Sequence, residues 1–229
     1  MNLAHFGAAM GYQLAPAIRA CRADGDNLLF LDLDRDRYLA VPDSAQRVLL
    51  ERLFSPATDP HESLAALVRQ GLLLFEPGCP DRLTLTQRQL AAQAAADLET
   101  RAGRIRARDV AEIGWARVQC ARRIRRLGIK SVEMFLYPSE SDRSFRAAPE
   151  LGEGLSKLLR ARALLPFAHS CLLDSLTLRA LLARRGLWSE IVVGVQATPF
   201  KAHCWLESGG YALNDDPDML GRFTPILAA

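Results

Sequence analysis

The stretch FKAHCWLESGGYALND, residues 200–215, decides the fold of the C-terminal half. Residues 200–207 are typical of a β-strand, and Ser208-Gly209-Gly210 predicts a hairpin turn into a second strand over residues 211–214. Side chains alternate between the two faces of a strand. The face predicted to pack into the core carries Phe200, Ala202, Cys204 and Leu206. His203 then lies on the opposite, accessible face beside Trp205, whereas Cys204 is expected to be buried and inert.

A helix is predicted to precede this hairpin, over residues 170–185. Ser170 is a suitable N-cap, Asp174 lies in the first turn, and Gly186 suits the position just after the helix. Cys171 is therefore the first helical residue. The unpaired N–H groups and partial positive charge of a helix N-terminus favour a thiolate over a thiol. These features make Cys171 a candidate nucleophile, with its own N–H available to bind an oxyanion.

A histidine that acts as a base for such a nucleophile needs a third group to orient it. Two aspartates at the end of the hairpin, Asp215 and Asp216, are candidates. A three-residue turn would place Asp215 opposite His203, whereas a two-residue Gly-Gly turn would place Asp216 there. The hairpin sequence leaves both open. The combination still predicts an enzyme with Cys171 as nucleophile and His203 as base.

A metal site is the competing interpretation of these residues, with His169, Cys171, His203 and Cys204 as ligands. Adjacent strand residues face opposite ways, and no paired ligand spacing of the usual zinc type is present, so no metal is predicted. The chain has five cysteines, an odd number without any CxxC pair, which fits neither a disulfide framework nor a zinc ribbon.

Composition indicates a globular protein. Of the 229 residues 49% are hydrophobic, and the net charge of +3 is too small to predict a nucleic-acid partner. No apolar run approaches the roughly 20 residues of a membrane span, and no secretory signal is apparent, so a cytoplasmic location is expected. Nine arginines and only two acidic residues lie between Arg101 and Arg126. This stretch is either a solvated helix face or a docking surface for an acidic partner.

The first part of the chain predicts a small winged-helix-like unit with a three-stranded sheet plus helices. Its predicted strands cover residues 17–23, 28–33 and 37–41, its helices 45–54 and 61–70, and a short strand 72–75. A linker rich in proline and glycine follows at residues 76–81. We therefore predict an α+β protein of two domains, residues 1–80 and 81–229. Residues 84–127 are expected to be helical.

The C-terminal motifs resemble those of the lasso-peptide maturation peptidases, which are bacterial transglutaminase-like cysteine peptidases. The resemblance rests on the pattern AH-x-W-x-E at residues 202–207 and the ND pair at 214–215, within residues 151–216. It implies a papain- or transglutaminase-like cysteine peptidase domain with a catalytic triad of Cys171, His203 and Asp215. The spacing in the family selects Asp215 over Asp216.

The first 80 residues resemble the PqqD-like precursor-recognition domain that members of this family carry at their N-terminus. That resemblance implies that a leader peptide adds as a strand to the edge of the third strand, residues 37–41, against the helix 61–70. The residues then implied in leader-peptide binding are Tyr38, Leu39, Val41, Leu64, Leu67 and Val68.

Together the two resemblances imply a leader peptidase of lasso-peptide biosynthesis. Its partners would be the precursor peptide and an asparagine-synthetase-like cyclase, which closes the macrolactam on the freed core N-terminus. No cofactor is expected on the chain itself, because no nucleotide-binding motif is visible, and any ATP dependence would come through the cyclase. Two alternatives remain open, namely an acyl transferase of transglutaminase type with the same triad and a non-catalytic leader-binding module.

Overall fold

The computed structural model describes residues 10–55, 60–77, 81–94, 104–133, 148–166 and 168–229. The chain divides into two compact units, Met1–Gln87 and Arg88–Ala229. Both contain helices and strands, so the predicted α+β class is confirmed. In the described ranges, every helix falls short of the length or the apolar character that a bilayer-crossing segment requires.

The N-terminal unit contains a three-stranded antiparallel sheet in the order β2-β3-β4. Its strands are β2 (Ile18–Ala23), β3 (Asn27–Asp32) and β4 (Arg37–Ala40), and two helices follow, α1 (Asp43–Phe54) and α2 (Glu62–Arg69). These five elements confirm the predicted order. A strand that the sequence analysis did not predict, β1 (Met10–Leu14), pairs antiparallel with β5 (Leu73–Pro77) to form a second sheet. The winged-helix-like assignment of the whole unit stays a prediction.

The core of this unit lies between the sheet and the two helices. Its buried members include Ile18, Leu28 and Phe30 from the sheet and Val48, Leu49, Leu64 and Leu67 from the helices. The helical members recur at the three- and four-residue spacing that places side chains on one face, which is why α1 and α2 were predictable.

The segment after the predicted linker packs on the N-terminal unit. The Asp81 carboxylate accepts a hydrogen bond from the Tyr12 amide (2.7 Å) and forms a buried ion pair with Arg52 (3.0 Å). The amides of Arg82 and Thr86 donate to backbone carbonyls of β1 and β2. These contacts place residues 81–87 in the first unit, whereas we predicted a boundary after residue 80.

The helix predicted to begin at residue 84 is wrong for residues 84–94. The Thr86 amide binds the sheet, and β6 (Gln93–Ala94) pairs in parallel with β9 of the second unit. Backbone groups committed to strand partners cannot also form a helical ladder. In the described residues that follow, a helix runs over α3 (Ala107–Leu127). Residues 95–103 of the predicted helical stretch lie outside the described residues.

The C-terminal unit is built on a five-stranded sheet in the order β10-β7-β8-β9-β6. The remaining strands are β7 (Glu190–Gln196), β8 (Lys201–Ser208), β9 (Tyr211–Ala212) and β10 (Thr224–Ala228). A short 3-10 helix (Gly128–Val132) follows α3, and the later helices are α4 (Ala148–Ala163), α5 (Cys171–Arg184) and α6 (Pro217–Leu220). Helix α5 packs against both β8 and α3 and is buried on much of its circumference.

Both faces of the central strand β8 are covered from Cys204 to Ser208, whereas its first residues are exposed, among them Ala202, which was predicted to be core. The prediction that the face bearing His203 is accessible is therefore wrong for two residues of that face. Trp205 is fully buried there, and Glu207 is nearly so. That face packs on α6 and on the segment just before β6, through residues that include Leu220 and Ala91. Phe200, predicted to be core, precedes the strand and is 51% exposed. Alternation predicts which residues share a face, but only the layers of the domain decide which face is solvated.

Gly194 of β7 faces the Trp205 ring. A Cβ at Gly194 would lie 2.7–2.8 Å from two carbons of the Trp205 ring and 2.8 Å from Phe223 Cβ. We expect Gly194→Ala to reduce the free energy of unfolding by about 1–3 kcal/mol, because a buried indole must move. Urea unfolding followed by circular dichroism measures this change. Gly114→Ala is the matched control, since Gly114 in α3 has nothing within 4 Å of an added Cβ and alanine favours a helix. Equal stability of the two variants would contradict the prediction.

Candidate active site

Cys171 is the first residue of α5, and its side chain is exposed. The thiol receives hydrogen bonds from the backbone N–H groups of Leu172, in the same helical turn, and of Cys204, in β8. Ser170 occupies the predicted N-cap position with an extended backbone but makes no side-chain capping bond. The Asp174 carboxylate reaches back instead and accepts from the Ser170 amide at 3.0 Å. The sulfur therefore lies where backbone donors converge, which favours an anion.

His203 and Asp215 lie close to this thiol. The imidazole of His203 hydrogen bonds to Cys171, and its Nε2 contacts Oδ2 of Asp215. Since Nε2 is occupied by the carboxylate, Nδ1 remains for the sulfur. The structure thus brings the three residues of the predicted triad into one hydrogen-bonded chain.

The turn between β8 and β9 has two residues, Gly209 and Gly210, both with positive φ. With Ser208 opposite Tyr211, continued pairing would have placed Asp216 opposite His203. Pairing ends instead at Leu213, whose amide donates to the Leu206 carbonyl.

The side chain of Asn214 ends the pairing. Its Oδ1 accepts the Leu206 amide at 2.8 Å, taking the place that a strand carbonyl would have filled. The chain then leaves the strand geometry, and the next side chain, Asp215, reaches His203. Asp216 caps α6 by accepting the Asp218 amide at 3.0 Å. The register argument from the turn alone would therefore have selected the wrong aspartate.

Electrostatics favour a charged pair at the site. The hydrogen bond from His203 lowers the pKa of the Cys171 thiol, aided by the two backbone N–H groups and opposed by partial burial. The same hydrogen bond raises the pKa of His203, as does Asp215, again against partial burial. Burial raises the pKa of the Cys204 thiol far above its ordinary value, so this neighbour stays protonated, as predicted. Both shifts act in the same sense and favour a thiolate beside an imidazolium.

A carboxylate near a thiol ordinarily disfavours the thiolate, but the negative charge of Asp174 is balanced by two arginines. Burial works to raise the pKa of Asp174, but the Ser170 amide and the guanidinium groups of Arg162 and Arg117 outweigh it and lower that pKa. Arg162 Nε lies 3.2 Å from the carboxylate, and Arg117 also donates to the Ala168 carbonyl at 2.8 Å. Helices α3 and α4 thereby hold the start of α5. This cluster was not predicted, because the residues lie 12 and 57 positions from Asp174 in the chain.

The face of His203 is supported by aromatic rings and by an ion pair that is buried on its carboxylate side. The rings of Trp205 and Phe223 lie 5.9 Å and 5.3 Å from the imidazole, measured between ring centroids. Trp205 Nε1 donates to the buried Glu207 carboxylate at 2.8 Å, and Arg88 donates to Glu207 at 2.7 Å. The tryptophan and glutamate of the AH-x-W-x-E pattern therefore act through packing under His203 rather than at the surface.

The residues implied in leader binding divide into two groups. Val41, Leu64 and Leu67 are buried in the core of the N-terminal unit. Tyr38, Leu39 and Val68 are partly exposed, and β4 is an edge strand of its sheet as far as the structure describes it. Their role in binding stays a prediction.

The four candidate metal ligands do not form a cluster. Cys204 is buried, and the His169 side chain is 93% exposed, with its Nδ1 3.7 Å from an oxygen of Asp174. In the part of the chain that the structure describes, no group of three or more His, Cys, Asp or Glu side chains is arranged to hold a metal ion.

Comparison with known proteins supports a transglutaminase-like domain. Residues 118–228 match the family model described as the transglutaminase-like superfamily. The microcin J25-processing protein McjB of Escherichia coli is 37% identical over 60 residues, which are 26% of this chain and 29% of that protein. The aligned segment thus spans less than a third of the relative. No solved structure matches the chain. The two matches confirm the resemblance to lasso-peptide maturation proteases and leave the PqqD-like unit a prediction.

The charged pair has a measurable consequence. The rate of Cys171 alkylation by iodoacetamide should rise with pH and level off at a lower pH than for an ordinary thiol. The thiolate is lost as pH falls through the lowered pKa of Cys171, and the imidazolium is lost as pH rises through the raised pKa of His203. In His203→Ala the rise should move to higher pH, because the main cause of the lowered pKa is removed. Peptide mapping by mass spectrometry assigns the modified residue, and buried Cys120 serves as the internal slow control. Identical profiles for the two proteins would contradict the charged pair.

Proposed function

We propose that this chain, which contains a transglutaminase-like domain over residues 118–228, is a cysteine peptidase that removes the leader peptide of a lasso-peptide precursor. One observation carries the proposal. Cys171 begins a helix and hydrogen bonds to His203, whose other ring nitrogen contacts Asp215. This is the order of groups that nucleophilic acyl transfer requires.

In the proposed mechanism the Cys171 sulfur attacks the carbonyl carbon at the junction of leader and core. The thiol proton has passed to His203, and Asp215 orients and stabilises the resulting imidazolium. The N–H of Cys171 at the helix start is positioned to bind the oxyanion. When the tetrahedral intermediate collapses, the imidazolium gives its proton to the amine of the core peptide, which leaves. An acyl-thioester to the leader remains on Cys171.

Water completes the cycle. His203, again neutral, takes a proton from a water molecule, whose oxygen attacks the thioester carbonyl. The C–S bond breaks, the leader leaves as a carboxylic acid, and the imidazolium returns its proton to the Cys171 sulfur. Every step uses side chains and backbone of this chain, and we propose that it needs no bound cofactor.

The free core amine is what a macrolactam-forming enzyme would consume. We therefore propose an asparagine-synthetase-like cyclase as a partner, with any ATP dependence belonging to it. McjB is named as a processing protein for microcin J25, which supports a peptide substrate of this kind. Ribosomal synthesis of such a precursor supports a cytoplasmic location.

The N-terminal unit is proposed to hold the leader. An edge strand offers backbone groups to which an extended peptide can add, and apolar side chains beside the edge supply affinity. Strand β4 lies at the edge of its sheet, and Tyr38, Leu39 and Val68 are the implied residues that remain partly exposed. Val41, Leu64 and Leu67 would support this surface from the core, where they are already packed.

Cleavage is tested with a candidate precursor from a neighbouring reading frame, analysed by mass spectrometry. The wild-type protein should yield a leader fragment and a core fragment whose masses sum to the precursor plus one water. Cys171→Ala should lower the rate by at least about 10³-fold, because the attacking sulfur is gone. Cys120→Ala is the matched control, a buried cysteine of α3 without a role in the mechanism. Cleavage by Cys171→Ala near the wild-type rate would sink the assignment.

The same measurement separates the alternatives. A leader fragment heavier by an added amine, in place of water, identifies an acyl transferase. Leader binding without cleavage, also when the cyclase is added, identifies a binding module in which the three residues are vestigial.

Leader binding is tested on the full-length Cys171→Ala protein by fluorescence anisotropy of a labelled leader peptide. Leu39→Ala and Val68→Ala should each weaken binding by about 5- to 20-fold, since each removes part of an apolar contact. Val118→Ala, which trims an exposed valine on α3 of the other unit, is the control and should leave the affinity unchanged. Equal affinities for all three variants would remove β4 and α2 from the leader-binding surface.

A further inference from the structure

A buried hydrogen-bond network lies directly behind the three proposed catalytic residues. Ser175 of α5 has no exposed surface, and its hydroxyl donates to the Cys204 carbonyl at 3.2 Å. The Asn214 amide Nδ2 donates to the same hydroxyl at 3.0 Å, while Asn214 Oδ1 accepts from the Leu206 amide at 2.8 Å. Two side chains thus connect α5, β8 and the segment that follows β9.

Each member of this network is a close neighbour of one proposed catalytic residue. Ser175 is one helical turn after Cys171, on the same face of α5. Cys204 follows His203 directly in β8, and Asn214 directly precedes Asp215. A shift at any member would therefore be transmitted to a reacting group through one residue or one turn of backbone.

The network also replaces strand pairing where β9 ends. Beyond Leu213 the strand no longer pairs with β8, so backbone groups of Leu206 and Cys204 need other partners inside the protein. The Asn214 side chain accepts the Leu206 amide. Both partners of the Cys204 backbone come from α5. The Ser175 hydroxyl donates to the Cys204 carbonyl, and the Cys171 sulfur accepts its N–H. The nucleophile-bearing helix is thereby fixed against the strand that carries the base.

We infer that Ser175 and Asn214 are positioning residues that act as one unit to set the geometry of Cys171, His203 and Asp215. Neither touches the reacting atoms. Asn214 ends the strand so that Asp215 faces His203, and Ser175 fixes Asn214 to both α5 and β8. The expected changes in kcat rest on the proposed peptidase function. The expected change in the reactivity of Cys171 does not.

The experiment compares Ser175→Ala, Asn214→Ala and the double variant in the full-length protein. Each should lower kcat for precursor cleavage by about 10- to 100-fold with KM changed by less than about threefold, because displacement of a reacting group by about 1 Å costs this much. The pH profile of Cys171 alkylation should move toward that of an ordinary thiol. The double variant should be no slower than the slower single variant, since both remove the same unit.

Ser131→Ala is the matched control. Ser131 is also fully buried and donates to a backbone carbonyl, that of Gly128 at 2.7 Å, but it lies in the 3-10 helix after α3. It should lower the thermal midpoint about as much as Ser175→Ala while leaving kcat and the alkylation profile unchanged. The charged groups around the site, Asp174 with Arg117 and Arg162 and the exposed His169, are intact in every variant.

The outcomes are distinct. If Ser175→Ala and Asn214→Ala lower the thermal midpoint but keep the wild-type kcat and alkylation profile, the network is structural only and the inference is overturned. If the wild-type protein cleaves no precursor, the proposed function fails, whereas the alkylation profiles still decide the positioning role. If Asn214→Ala does not fold, Ser175→Ala decides alone, since it removes a single oxygen atom.

Discussion

The contact between the start of helix α5 and the backbone of Cys204 is the interaction on which the site depends. The Cys204 N–H donates to the sulfur of Cys171, and its carbonyl accepts from Ser175 one turn later. Buried backbone groups that lack a partner cost about as much as a lost hydrogen bond, so the helix cannot drift along the strand without penalty. His203 is adjacent in the strand, and its distance from the thiol follows from this contact.

Charge is arranged around that contact so that the thiolate is the favoured form. The helix N-terminus and the imidazole of His203 both favour an anion at Cys171. Asp174, the nearest carboxylate in the helix, is engaged by Arg117 and Arg162 from two other helices. Those ion pairs stabilise the fold, since each joins separate helices. They also balance the negative charge of Asp174, which would otherwise disfavour a thiolate at Cys171.

Strand β8 also carries a buried polar group, Glu207, whose hydrogen bonds are made away from the thiol. Glu207 is buried and accepts from Trp205 and Arg88, so the indole is held by a hydrogen bond as well as by packing. Gly194 leaves room for that indole in the neighbouring strand. The ring that packs beside the imidazole is therefore itself held by a hydrogen bond and by close packing, as is typical of sites that require precise orientation.

Sequence alone determined many of the local elements and the candidate nucleophile and base. Helix α5, with Cys171 at its first turn, and the strand bearing His203 follow from caps, glycine positions and alternation, which are local signals. Tertiary structure decided the rest. Only the layers of the domain showed that Trp205 and Glu207 are buried, and only the Asn214 side chain, by ending the strand pairing, made Asp215 rather than Asp216 the partner of His203. A two-residue turn fixes a register, but where that register stops depends on contacts with residues distant in the chain, which a one-dimensional pattern does not contain.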